Sequence, residues 1–283
     1  MQAFYSTIQN LLPFEWASYN FMSNALLAIL IIAPVFGLIG TMVVNNQMAF
    51  FSDALGHSAL TGVAIGVMLG FRDPVVSAVM FAILFAVAIS EVKSVGNCSA
   101  DTIIRVFSSA ALAVGIALLS KNGNFSKYNS YLIGDLLSVT PDELLTLLCT
   151  LAAILLIWYL IYKQLILISL NRSLAKSRGI RVRLVENIFI ILVAVLVTVS
   201  VSRVGILIIN SMLILPAAAS RNIAKNVKSY MSFAVIISLI CGISGLISSF
   251  YLNTSAGATI ILFMAAVFFI SLLISLFGKR RGI

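Results

Sequence analysis

Charge is scarce in this chain. Only 10% of its 283 residues are charged, where a soluble domain carries roughly a quarter. Histidine is scarcer still, with a single copy at His57. That excludes an H-E-x-x-H zinc helix, which needs two. No G-x-x-x-x-G-K-[ST] run occurs, so the chain does not itself cradle nucleotide phosphates through that loop. Dinucleotide-type glycines are missing from any strand–helix context, and no nucleophile–base pairing for hydrolysis stands out. A catalytic role is not indicated. The three cysteines, Cys98, Cys149 and Cys241, are odd in number and far apart, which argues against a disulfide framework or a thiolate metal site. They read as small apolar fillers. Period-two alternation is absent, which excludes a transmembrane β-barrel. The N-terminus shows neither the basic start nor the small-residue cleavage site of a secretory signal, so no cleaved peptide is expected.

What is present is apolar. Hydrophobic residues make up 61% of the chain and mean hydropathy is +1.12. Long apolar runs recur from Phe21 to Phe277. The expected fold is all-α: a polytopic transmembrane helical bundle of eight to nine spans in one membrane domain over residues 1–283. Spans are placed at about 20–41, 53–70, 74–92, 102–120, 142–162, 185–202, 204–219, 230–251 and 256–277, each near the ~20 residues a bilayer needs. The spans at 53–70 and 204–219 are short, as tilted, broken or re-entrant segments would be. Residues 120–144 read as an outer loop with a small helix, stopped by Pro141.

The net charge of +9 is not a nucleic-acid footprint, because the bases cluster between spans. One cluster is Lys163, Arg172, Lys176, Arg178, Arg181 and Arg183. A second is Arg221, Lys225 and Lys228, and a third is "GKRRG" at the C-terminus. The positive-inside rule puts all three in the cytoplasm. The C-terminus is then cytoplasmic and the N-terminus outside. Residues 168–184 form a basic, helical cytoplasmic segment, with Gly179 suited to a helix end.

One span departs from the apolar theme. In "FFSDALGHSALTGVAIG" (Phe50 to Gly66), Asp53 and His57 stand at i and i+4, so both project from one helix face. A carboxylate at the bilayer centre costs about 2.5–3.5 kcal/mol on insertion scales. Three accounts of the pair remain open. It is a structural hydrogen bond near the interface, a proton relay, or a ligand pair for a divalent ion that accepts both oxygen and imidazole nitrogen. Small neighbours, Ala54, Gly56, Ser58, Ala59 and Gly62, let other helices come close. That suits a narrow pathway, and it equally suits plain tight packing. Asp101 and Arg105, also i and i+4, are expected to pair at the inner end of span four.

Four stretches, in order, resemble one family. "GTMVVNNQMAFFSDALGHSALTGVAIG" looks like a signature in which D-A-x-x-H precedes small residues and a glycine. "YLIGDLLSV", "SRVGILIINSMLILPAAASRNIA" and "SGLISSFYLNTSAGATIIL" are similar to its later elements. The family is the permease subunits of manganese-, zinc- and iron-type ABC importers, and the resemblance runs from about Phe21 to about Leu273. It implies a type II importer-like permease in the bacterial plasma (inner) membrane. It implies as partners an ABC ATPase subunit, an extracellular metal-binding protein, a second copy of the permease and membrane lipid. No cofactor is held permanently, and the cargo is a divalent ion of Mn, Zn or Fe. Asp53 and His57 inherit the metal role. Beyond the resemblance, Asn45, Asn46, Gln47 and Asn210 are read as candidates to complete the shell, with helix-end or interhelical hydrogen bonding as their other reading. His57 must be neutral to ligate, so acid is expected to oppose uptake. Segment 168–184 inherits the ATPase contact, through Ser173, Ala175 and Gly179. The acidic positions usual there are replaced here, since the chain reads Asn171 and Arg172. Rival readings are a permease for a metal chelate (siderophore, haem or cobalamin) and a proton-coupled secondary transporter.

Overall fold

A backbone in hydrocarbon must satisfy its own N–H and C=O groups, so each apolar run is driven to a helix. The computed structural model describes residues 15–71, 73–95, 99–121 and 135–280, and the long elements among them are all helices. They are α1 (Asn20–Asn45), α2 (Ala49–Met68), α3 (Pro74–Val95), α4 (Ala100–Lys121), α5 (Pro141–Leu170), the short α6 (Arg172–Ser177), α7 (Val182–Val204), α8 (Ile206–Ile223), α9 (Val227–Leu252) and α10 (Ala256–Arg280). Every expected span has its helix. Several run on beyond the apolar stretch, as α5 does past Lys163 and α8 past Arg221. Long basic side chains allow this because they reach the interface while their stems stay on apolar surface.

Among the described residues, 8 helices are long and apolar enough to cross a membrane, and α2 is not one of them. Asp53, His57 and its glycines dilute its hydropathy. Its 20 residues still form one unbroken helix, about 30 Å long at 1.5 Å per residue. The other short span, α8, is also unbroken and runs through Pro216. Neither is interrupted. Residues 122–134, which hold most of the expected outer loop, lie outside the described residues, as do Cys98 and the last three residues.

Pro141 starts a helix instead of stopping one. Thr140 is the N-cap of α5, and its backbone N–H and its hydroxyl both donate to Glu143 Oε2, at 2.9 and 3.0 Å. Proline in the first helical position loses only an N–H that had no partner to begin with. Asp142 and Glu143 in the first turn complement the helix dipole. The small helix expected before it is a single 3-10 turn, Leu136–Ser138, capped by Asp135, whose carboxylate accepts from Leu137 N–H at 3.0 Å.

The chain forms two compact units, with boundaries inside α1 and α5. The first contains residues 1–41, 135–151 and 207–283. Here α1 meets α8 and α9 at very short range. A Cβ on Gly40 would overlap the carbonyl oxygen of Leu213, and one on Gly37 would lie 3.0 Å from the carbonyl oxygen of Ala234. Polar ties are few and specific: Asn24 Nδ2 donates to the Val139 carbonyl at 3.1 Å, and the Tyr230 hydroxyl to the Thr41 carbonyl at 3.3 Å. Asn226 and Ser229 close a reciprocal cap at the start of α9.

The second unit contains residues 42–134 and 152–206. Within it α2 packs against α3, α4 and α7. A Cβ on Gly62 would lie 2.6 Å from Ala78 Cα of α3, and Thr61 donates its hydroxyl to the Ala111 carbonyl of α4. With no hydrophobic force between helices in lipid, such close backbone contact and interhelical hydrogen bonds hold the unit together.

Gly40 therefore sets the spacing of α1 and α8. Gly40→Val should cost about 1–3 kcal/mol by overpacking. The expected readout is a lower thermal unfolding midpoint and less monodisperse protein in detergent. An unchanged midpoint would show that the contact tolerates a side chain.

Candidate functional site

The helix carrying the ionisable pair is aimed by the turn before it. α1 ends at Asn45, and Gln47 adopts a left-handed φ of 55°. Gln47 N–H donates to the Val44 carbonyl at 3.2 Å, and Met48 N–H to the Val43 carbonyl at 3.0 Å. These two bonds satisfy carbonyls that a helix end leaves open. Asn46 adds a third, its Nδ2 donating to the Met42 carbonyl at 2.8 Å. The chain then re-enters a helix at Ala49.

On α2, the residues around the pair are buried: Ser52, Ala54, Leu55, Gly56, Ser58 and Ala59. Gly56 has no room for a side chain, because the Ile206 side chain occupies that space. Asp53 and His57 are different. Their side chains are 53% and 32% exposed, so the pair opens from the surface of its unit and not into its core. His57 Nε2 lies 3.7 Å from Asp53 Oδ2. That distance is too long for a hydrogen bond, which weakens the purely structural account. His57 Nδ1 is buried and has no hydrogen-bond partner among the described residues. The imidazole is thus sealed on one nitrogen and presents the other toward a carboxylate. A cation about 2.1 Å from each of these two atoms, a usual metal–ligand length, would see them about 120° apart. Zn, Mn and Fe(II) accept this donor pair. Among the described residues no group of three or more His, Cys, Asp or Glu side chains gathers to hold a metal, so one chain offers an open, incomplete shell.

Asn46 and Gln47 serve the turn, and Asn46 also lines a cavity with Lys93 and Arg172. Asn45 is the last residue of α1, and Asn210 is half-buried in α8 of the other unit. Arg105 does not pair with Asp101. Its guanidinium sits 4.1 Å from the centroid of the Phe50 ring, at the start of α2. A cation over an aromatic face is attracted to the ring quadrupole. Asp101 occupies the first turn of α4, where the helix dipole favours a negative charge. Aromatics three residues from a motif are common in apolar helices, so the Phe50 contact carried no signal in the sequence.

Segment 168–184 contains the expected helix. Asn171 caps α6, accepting from Leu174 N–H at 2.9 Å. Gly179 ends it with a φ of 76°, and Ile180 N–H donates to the Ala175 carbonyl at 3.1 Å. Ala175 is fully buried, whereas Ser173 and Leu174 are exposed. Ala175 seats the short helix and its neighbours face outward. Arg172 ties the segment to α7 through Glu186 Oε2, at 2.6 Å.

With 8 helices long and apolar enough to cross a membrane among the described residues, the chain is a polytopic helical membrane protein, and a carboxylate–imidazole pair lies on α2. The comparisons agree. The chain belongs to the ABC 3 transport family, whose model matches residues 18–275. It is similar to the high-affinity zinc uptake system membrane protein ZnuB of Haemophilus influenzae, with 32% identity over 93% of this chain and 99% of that protein. It is also similar to the manganese import system permease protein ScaB of Streptococcus parasanguinis, with 29% identity over 91% of each. Among solved structures it resembles PsaBC from Streptococcus pneumoniae in complex with Fab. There the TM-score is 0.78 and identity 30%, over 96% of this chain and 95% of that one.

The turn that aims α2 holds a non-glycine residue in a left-handed conformation, which favours glycine. Gln47→Gly should therefore raise stability by about 0.5–1 kcal/mol, read as a higher thermal midpoint. A lower midpoint would mean that the Gln47 side chain contributes more than the backbone conformation costs.

Proposed function

We propose that this chain is the permease subunit of an importer for a divalent transition-metal ion, with Asp53 and His57 coordinating the ion in passage. The observation that carries the reading is the pairing of Asp53 Oδ2 and His57 Nε2 at 3.7 Å, with His57 Nδ1 sealed behind. The carboxylate offsets part of the ion's charge and the imidazole supplies a borderline-soft nitrogen. Two ligands hold an ion loosely. A second copy of the chain would bring the total to four, tight enough to select and weak enough to release. Relatives named for zinc uptake and for manganese import support Zn and Mn as cargo, and Fe(II) shares the ligand chemistry.

In this reading the energy comes from a separate ATPase subunit, and an extracellular binding protein delivers the ion. The bases at the end of α5, the start of α7 and the end of α8 support a cytoplasmic location for those three ends and an outside N-terminus, by the positive-inside rule. The outward Ser173 and Leu174 of α6, seated by Ala175 and stopped by Gly179, form the surface the ATPase would push.

His57→Ala should abolish metal uptake in cells while leaving membrane abundance unchanged. Asp53→Asn keeps the oxygen and loses the charge, so it should lower uptake by at least tenfold, about 1.4 kcal/mol of lost ion stabilisation. The measurement is radiolabelled Mn or Zn uptake, normalised to permease in the membrane. Normal uptake by His57→Ala would remove the pair from the ion route. Loss of ATP dependence would point to a proton-coupled carrier.

A further inference from the structure

Between Glu143 and Glu186 the sequence has no acidic residue. Residues 171–185 carry Arg172, Lys176, Arg178, Arg181 and Arg183 instead. Arg172 is committed to Glu186 at 2.6 Å, and Arg183 is engaged within the chain. Lys176, Arg178 and Arg181 are exposed and have no ion-pair partner among the described residues.

The seating of α6 fixes how these bases are presented. Ala175 is its buried residue. Ser173 and Ser177 each lie two residues from Ala175, about 200° round the helix, so they form the ridge turned away from the seat. Both are exposed. Leu174, 44% exposed, and Arg178 flank the ridge on one side. Lys176 flanks it on the other, where it lines an open hollow with Arg181. The outward surface is thus two small hydroxyls and a leucine set between cations.

The length of α5 decides what can meet that surface. Its 30 residues measure about 45 Å, against about 30 Å of hydrocarbon and about 40–45 Å for the whole bilayer. The helix starts at the polar Thr140–Glu143 cap. Roughly 20 residues on, Tyr159, Tyr162 and the exposed Lys163 form the aromatic and basic belt that marks a membrane boundary. Leu170 stands about 10 Å beyond Lys163 along the helix, and α6 follows at once. Lipid phosphates lie near the belt, within reach of Lys163. The ridge of α6 lies at the water side of the headgroups. Leu170 and Leu174 are exposed there, where an apolar surface calls for protein cover.

We infer that the surface of the ATPase subunit that receives α6 is acidic, with carboxylates opposite Lys176, Arg178 and Arg181. The inference rests on the ATPase partnership proposed above and names the chemistry of that partner. Leu174 supplies the apolar contact, and the three bases set which ATPase fits, because like charges across an interface exclude wrong partners. An ATPase with a basic receiving surface is excluded.

The test uses the full-length permease in phosphatidylcholine nanodiscs, with its separately purified cognate ATPase subunit as the probe and the dissociation constant as the readout. Raising salt from about 50 to about 500 mM should weaken binding roughly tenfold or more, because exposed charge pairs are screened over that range. The triple substitution Lys176→Gln, Arg178→Gln, Arg181→Gln should weaken it to a similar extent and flatten the salt dependence. Lys176→Arg, Arg178→Lys, Arg181→Lys should bind like the unmodified protein. Tight binding by the unmodified protein that ignores salt would overturn the inference while leaving the partnership standing, and needs no variant to fold. So would a glutamine variant that binds the ATPase normally but loses phosphatidylglycerol from mixed-lipid nanodiscs, since the bases would then serve lipid. Failure of the unmodified permease to bind the ATPase at any salt would overturn the partnership itself, and this inference with it.

Discussion

The structure is organised around one difficulty: α2 must place a carboxylate and an imidazole among apolar helices. Charge in such surroundings costs several kcal/mol unless something compensates it. The second unit meets this by burying the rest of α2. Gly62 lets α3 approach to backbone contact, Thr61 bonds the α4 backbone, and Gly56 admits the side chain of Ile206. Asp53 and His57 are then left on the one face that stays open. Small residues are thus needed on either side of the pair for a geometric reason, because any larger side chain would push a neighbouring helix off α2.

The same economy governs the helix ends. Backbone carbonyls near lipid must find donors, and among the described residues four places supply them by a left-handed residue: Gln47 after α1, Gly179 after α6, Asn253 after α9 and Gly70 after α2. Each reverses the chain in a few residues without exposing unpaired groups to hydrocarbon. The first aims the pair-bearing helix, and the second closes the short basic helix proposed to meet the ATPase. The turn before α2 and the end of α6 are thus fixed by backbone hydrogen bonds, beside the close packing of Gly56 and Gly62 and the burial of Ala175.

Much of this was legible in the sequence. Hydrophobic run length marks membrane helices strongly, and every expected span has its helix. Asp53 and His57 stood out because ionisable residues in apolar runs are rare, and their spacing alone placed both on one face. What was not legible depended on partners distant in sequence or on local rules of opposite meaning. Pro141 was read as a stop, yet the Thr140–Glu143 cap makes it a start, and T-P-D-E before an apolar run was the available cue. Arg105 was matched with Asp101 by spacing, yet it lies over Phe50 on another helix. Gln47 gave no warning of a left-handed conformation, because that cue belongs to glycine and asparagine. The amide of Asn46 could be ranked as a ligand only by type, and type says nothing of the Met42 carbonyl that it already serves.

The central claim is that one oxygen of Asp53 and one nitrogen of His57 share a passing cation. The most direct measurement is anomalous scattering from a manganese- or zinc-loaded complex of the permease with its partners. The account predicts a peak about 2.1 Å from both Asp53 Oδ2 and His57 Nε2. A metal peak remote from α2, or a loaded complex in which these two side chains face lipid, would contradict it.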